Sequence, residues 1–165
     1  MNEKIAVVDK NNHVVTYKVR EELDDGDCWR ASCIWVEDGK GNVLMQKRAS
    51  DKKVSPSTWT CAAIGTVTAD DSYESTAKRE LYEEIGVRNV PLKPTRTMLC
   101  RTSLGHRWYK GFTAICNKPI DTFKIQEEEV SEIAWMDKQT VLDEIEAGDP
   151  KYALTAKYYR ELFNL

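Results

Sequence analysis

The chain has 165 residues, 41% hydrophobic and 31% charged, and a formal net charge of −3. That length suits a single domain, residues 1–165, with a buried core, and the balance is that of a soluble globular protein. No large basic excess points to nucleic acid, no apolar run reaches the length of a membrane span, and Met1–Lys10 does not read as a secretory leader.

Five cysteines, Cys28, Cys33, Cys61, Cys100 and Cys116, form no CxxC pair, and the histidines are His13 and His106. A zinc site is not expected; reduced, buried thiols in a cytoplasmic protein are. The oligomeric state stays open between monomer and homodimer.

Residues 5–9 and 14–18 read as two short strands across a turn at Asn11-Asn12. Trp29–Glu37 is a β-rich run, Asp38-Gly39-Lys40-Gly41-Asn42 a hairpin signal, and Val43–Lys47 the return strand. Lys47-Arg48, Lys52 and Lys53 make a basic loop that ends at Ser55-Pro56-Ser57, and Trp59–Val67 is expected as one strand. A helix follows, closed by Gly86. Thr97–Thr102 and Trp108–Cys116 suggest a second hairpin, and Ala134-Trp135-Met136 a final short strand. Asp137 is placed to cap a helix through Ile145, stopped by Gly148 and Pro150. Tyr152–Phe163 is expected as a terminal helix with Leu154, Tyr158 and Leu162 on one stripe. No repeat or linker interrupts the chain. The natural packing is an α/β/α sandwich, a mixed sheet with the first helix on one face and the C-terminal helices on the other.

The first helix carries Glu80, Glu83 and Glu84 at i, i+3 and i+4, so three carboxylates share one face of its last turns. Like charges at this spacing repel by roughly 0.2–0.5 kcal/mol a pair. Each also faces the negative end of the helix dipole, at about 0.3–1 kcal/mol. Lys78 and Arg79 offset part of this, and a divalent cation would reverse its sign. A solvated acidic face is the plain alternative.

The full spacing weighs against that alternative. Gly65, five residues, Asp71, seven residues, then Arg79-Glu80-Leu81-x-Glu83-Glu84-x-Gly86-Val87 resembles the Nudix box, GX5EX7REUXEEXGU, over residues 65–87. One position departs: Asp71 stands where the family has Glu. A shorter side chain calls for a bridging water to reach a metal or Arg79, and Glu74, one turn on, is a candidate to compensate.

The resemblance implies a Nudix (MutT-like) hydrolase with the α/β/α fold, cleaving a nucleoside diphosphate linked to another moiety, with Mg²⁺ or Mn²⁺. It implies that Glu80, Glu83 and Glu84 hold the metal and that Arg79 orients them by ion pairing. Hard oxygen ligands suit Mg²⁺. The general base is then a box glutamate or a carboxylate of a later loop. Glu127, Glu128 and Glu129 form the acidic run there, with Glu129 the candidate and a solvated loop the alternative. Trp29, Trp108 and Tyr109 could stack on an organic moiety or be buried aromatics.

Lys47-Arg48-Ala49, Lys52 and Pro56-x-x-Trp59-Thr60 ahead of the box, with Glu128-Glu129-Val130 and Trp135 after it, resemble the isopentenyl-diphosphate isomerase-like branch. That likeness implies diphosphate contacts for Arg48 and Lys52; two solvated loop cations are the alternative. The isomerase chemistry itself is missing. Ile64 and Thr66 stand at the positions of its cysteine and first histidine, Glu22 and Trp29 near its other histidines, and His106 and Trp108 near its paired glutamates. Cys61 lies three residues before Ile64, an odd number in a strand, so it is expected to point to the opposite face and to serve as packing. The hydrolase reading leads, with an isomerase-like enzyme or a non-catalytic diphosphate-binding module as alternatives.

Overall fold

The computed structural model describes residues 3–102 and 105–165. Two parts of the sequence reading fall outside the described residues: the first two positions of the N-terminal segment, and positions 103–104 between the two expected strands Thr97–Thr102 and Trp108–Cys116.

The architecture is built around β3 (Trp29–Glu37), whose central residues are buried on both faces, as its unbroken apolar run requires. One edge of β3 pairs in parallel with β8 (Gly105–Ile115) from Trp29↔Arg107 to Glu37↔Ile115. Its other edge is shared in succession by three strands. β1 (Lys4–Val8) touches it at Val7↔Trp29, β6 (Ala63–Thr66) pairs with residues 31–34, and β4 (Asn42–Arg48) pairs with Val36 and Glu37. β2 (Val14–Val19) extends the sheet beyond β1, β7 (Lys93–Thr102) beyond β8, and β9 (Val130–Asp137) beyond β4.

The hairpin of β3 and β4 therefore splays apart past Val36↔Leu44, and the segment after the basic loop fills the gap. Its first part, β5 (Trp59–Cys61), pairs with β4; its second, β6, pairs with β3. The single strand expected over Trp59–Val67 is broken at Ala62, because one strand cannot follow two diverging partners.

Helix α1 (Tyr73–Ile85) covers one face. Its N-cap is Ser72, whose hydroxyl accepts from Ser75 N–H while Ser75 Oγ accepts from Ser72 N–H. Gly86 ends it at φ 72°, as the left-handed stop requires. Ala77, Leu81 and Ile85 pack on Ile34, Leu44, Ala62 and Ala63. The other face carries α2 (Lys138–Glu146), capped by Asp137 as expected, and α3 (Tyr159–Phe163). This is the expected α/β/α layering.

Other elements depart from the sequence reading, among them β8, which begins at Gly105 where Trp108 was expected. β9 is longer than the expected 134–136, since it pairs with the whole of β4. β7 starts at Lys93, behind an irregularity between Pro94 and Thr97. The expected helix over 152–163 begins later: Tyr152 bridges Trp59, Leu154–Tyr158 is a 3₁₀ turn, and α3 starts at Tyr159. The tighter turn shifts the stripe, so Ala156, Tyr159, Leu162 and Phe163 are buried while Leu154 is exposed.

Candidate active site

The splay of β3 from β4 leaves a cavity of about 670 Å³ along the β5–β6 segment. The box carboxylates Glu80, Glu83 and Glu84 line it, as do Gly65, Arg79, Arg48, Lys52 and Glu129. Residues as distant in the chain as Arg48 and Glu129 are thus brought to one cavity, and Arg107, Trp29 and Tyr109 form a further part of its wall.

Glu84 lies on the packed side of α1 and is 5% exposed. Gln46 of β4 donates from Nε2 to its carboxylate at 2.8 Å. Burial, and then the charge of Glu80, push the Glu84 carboxyl well above the ordinary range. Glu80 is raised to about 7, by burial first; the Arg79 charge opposes this and Glu83 adds to it. Glu80 runs directly over Gly65. A Cβ at that position would stand 2.1–2.3 Å from its Cγ, Cδ and Oε1, so the box glycine is the space that the carboxylate occupies.

Arg79 makes the ion pairs expected of it, 2.8 Å to Glu80, 3.1 Å to Glu83 and 3.5 Å to Asp71. Asp71 therefore reaches Arg79 without an intervening water, and it also accepts from Thr68 and Ser75 hydroxyls. Glu74 does not compensate for it. It pairs with Lys78 on the exposed side of the helix and is no part of the cavity wall.

Among the described residues no three His, Cys, Asp or Glu side chains converge as a metal cage. Arg79 pairs with both Glu80 and Glu83, yet the Glu83 side chain is 46% exposed against 14% for Glu80. The remaining donors still suit a hard cation. The charge of Glu80 adds to what raises the buried Glu84 carboxyl, and among the described residues Gln46 Oε1, on the amide that holds Glu84, is an enclosed acceptor with no partner. Mg²⁺ is commonly bound by one or two carboxylates, with waters and substrate phosphates completing its shell.

The basic and acidic loops meet at the cavity mouth. Gln126 and Lys124 N–H groups donate to the carbonyls of Glu84 and Ile85 at the end of α1, and Ala49 N–H donates to Glu129 O. These bonds set Glu129 beside Lys52, whose Nζ donates to Glu129 Oε1 at 2.6 Å. Arg48 donates from Nε to Val54 O. Neither Glu127 nor Glu128 lines the cavity.

Trp29 and Tyr109 line the cavity, whereas Trp108 does not; its Nε1 donates to Asp9 O at 3.1 Å. Cys61 is fully buried and outside the wall. The expectation that it faces away from Ile64 is overturned. The break at Ala62 resets the alternation, so Cys61, opposite Met45, and Ile64, opposite Cys33, both pack on the α2–α3 side. Sequence reasoning passed over Gln46 and Arg107, neither of which belongs to a local motif.

The NUDIX domain family matches residues 28–157. An *Escherichia coli* K12 protein described as an uncharacterized Nudix hydrolase, YfcD, is 30% identical over 141 residues, which cover 84% of this chain and 76% of that protein. A prenyl-diphosphate phosphatase of *Methanosarcina mazei* is 28% identical over 150 residues, 90% of this chain and 87% of that protein. Among solved structures, DR0079 of *Deinococcus radiodurans* superposes with a TM-score of 0.81 at 19% identity, covering 98% of this chain and 99% of that one, a likeness of fold. The chain belongs to the NUDIX family and is a Nudix (MutT-like) hydrolase, an enzyme acting on diphosphate bonds.

Proposed function

We propose that the chain is a Mg²⁺- or Mn²⁺-dependent pyrophosphohydrolase that cleaves a nucleoside diphosphate linked to another moiety, or a related organic diphosphate. The observation that carries this reading is one cavity that holds a buried carboxyl, Glu84, and a half-buried one, Glu80, whose charge bears on it, together with the cations Arg48, Lys52 and Arg79. A cation would relieve the repulsion, and a diphosphate would bring anionic oxygens to the arginine and lysine groups.

Glu80 and Glu84 would hold the metal, with Glu83 available from the Arg79 pair. The metal supplies charge neutralisation at the phosphoryl oxygens and a lowered pKa for the attacking water. Arg79 orients the box glutamates through its ion pairs. Gln46 fixes the Glu84 carboxylate by its hydrogen bond. Arg48 and Lys52 grip the diphosphate, and Glu129 accepts the proton of the water. The five cysteines are free thiols, which supports a reducing, cytoplasmic setting. Among the described residues no helix is long and apolar enough to cross a membrane.

The named activity of the *Methanosarcina* relative brings prenyl diphosphates into the substrate range to be tested. Nucleoside diphosphate derivatives and prenyl diphosphates, assayed with Mg²⁺ for released phosphate species, test the reading. Turnover of at least one, abolished by chelation, is expected; no turnover of any would favour a diphosphate-binding module.

A further inference from the structure

Arg107 is a buried cation that forms no salt bridge among the described residues; the carboxylates of Asp25 and Asp27 favour its charge only from a distance. It is 4% exposed, and among the described residues its hydrogen bonds leave from Nη1 alone, to Asp27 O at 3.0 Å and His106 O at 2.6 Å. Its guanidinium lies flat on Trp29, with Cζ 3.0 Å from the ring centroid. Burial lowers its pKa to about 10, so it keeps its charge at neutral pH. A cation in this position is costly unless something else satisfies it.

Its free edge is Nε–Nη2, a pair of parallel donors. Among the described residues the enclosed side-chain polar atoms without a partner are Gln46 Oε1 and Thr76 Oγ1, so the Arg107 edge keeps access to open space. Arg107 is part of the cavity wall with Trp29, Ala31, Ile64 and Tyr109. The volume of about 670 Å³ is ample for a nucleotide-sized ligand. An apolar chain lying here would strand both donors. A ligand with two adjacent acceptors would satisfy both.

Resting on the hydrolase reading above, we propose that Arg107, held flat by Trp29, is a specificity-determining residue that reads the acceptor edge of a guanine-type base carried by the diphosphate. Guanine offers O6 and N7 side by side to an arginine fork, whereas adenine sets an amino donor beside its N7. Trp29 fixes the plane of the guanidinium, and Nη1 is tied to two carbonyls. The fork is therefore preorganised and loses little freedom on binding.

The test uses GDP-glucose, ADP-glucose and geranyl diphosphate with Mg²⁺, on the wild-type protein and on Arg107→Met. The expected result is a wild-type preference for GDP-glucose. In the variant kcat/KM for GDP-glucose falls roughly ten- to a hundredfold, while the other two substrates scarcely change. Arg107→Lys keeps the cation, loses the fork, and is expected to lose the same preference; it serves where Arg107→Met does not fold. An equal loss on all three substrates would make Arg107 a structural staple or a phosphate contact. That result, or a wild-type preference for ADP-glucose or geranyl diphosphate, overturns the assignment and leaves the hydrolase reading standing. Failure to hydrolyse any of the three would overturn both.

Discussion

Lys52 Nζ lies 2.6 Å from Glu129 Oε1, joining residues 77 positions apart in the chain. One carries the proposed diphosphate grip and the other the proposed general base, so neither is free to act independently. Lys52 cannot approach a phosphate without changing the field at Glu129.

A double-mutant cycle on Lys52→Ala and Glu129→Gln is therefore expected to be non-additive, with a coupling of about 0.5–3 kcal/mol in kcat/KM. Lys52→Ala should act mainly on KM, and Glu129→Gln mainly on kcat. Additive effects, or wild-type kcat in Glu129→Gln, would return both residues to a loop ion pair.

Gly65→Ala places a methyl where Glu80 Cγ, Cδ and Oε1 now stand. The obstacle is a side chain, so the carboxylate swings aside and the fold survives. Turnover should fall about a hundredfold, the scale expected for a displacement of about 1 Å at a reacting centre. The Mg²⁺-induced rise in melting temperature should fall with it. A variant with wild-type turnover and an unchanged Mg²⁺ shift would remove Glu80 from the site.

The acidic pair also sets a pH dependence of stability. Glu80 is raised from 4.5 to about 7, and Glu84 is raised too. Between those values the folded chain keeps a proton that the unfolded chain has lost, so stability falls as pH rises. The carboxyls shifted downward, such as Asp38 and Asp137, act below their ordinary value of 3.8, outside this window. With chelator present, the melting temperature should be lower at pH 8 than at pH 5. Glu84→Gln should flatten that slope, and Mg²⁺ should restore more stability at pH 8 than at pH 5. A flat profile in the unsubstituted protein would mean that the two carboxylates are not buried as described.

Isomerisation of an allylic diphosphate needs a proton donor and an acceptor on opposite sides of the carbon skeleton. Ile64 lines the cavity where a cysteine would be required, and Trp108 is committed to Asp9. Cys61 shares the Ile64 side of the sheet but is fully buried. Incubation with isopentenyl diphosphate in deuterated water should give neither dimethylallyl diphosphate nor deuterium incorporation. Cys61→Ala should leave hydrolysis unchanged. Isomerisation that disappears in Cys61→Ala would establish the isomerase alternative.

The sequence by itself determined what is local. The box helix, its Gly86 stop, the shared face of Glu80, Glu83 and Glu84, and the Asp137 cap all follow from spacing within a few turns of one element. The β3 run and the placing of helices on both faces follow from apolar patterning. Only the tertiary structure decided what depends on two distant segments. The splay of β3 from β4 broke the expected strand at Ala62 and reversed the face assigned to Cys61. Packing of α1 buried Glu84 and left the Glu83 side chain exposed, so a trio that looks equivalent on a helical wheel differs in burial. Gln46 and Arg107 sit in ordinary strand patterns, and their roles arise from the neighbours that the sheet gives them. Periodicity reports which face a side chain takes within an element, whereas burial and partnership are set by long-range pairing that no local spacing encodes.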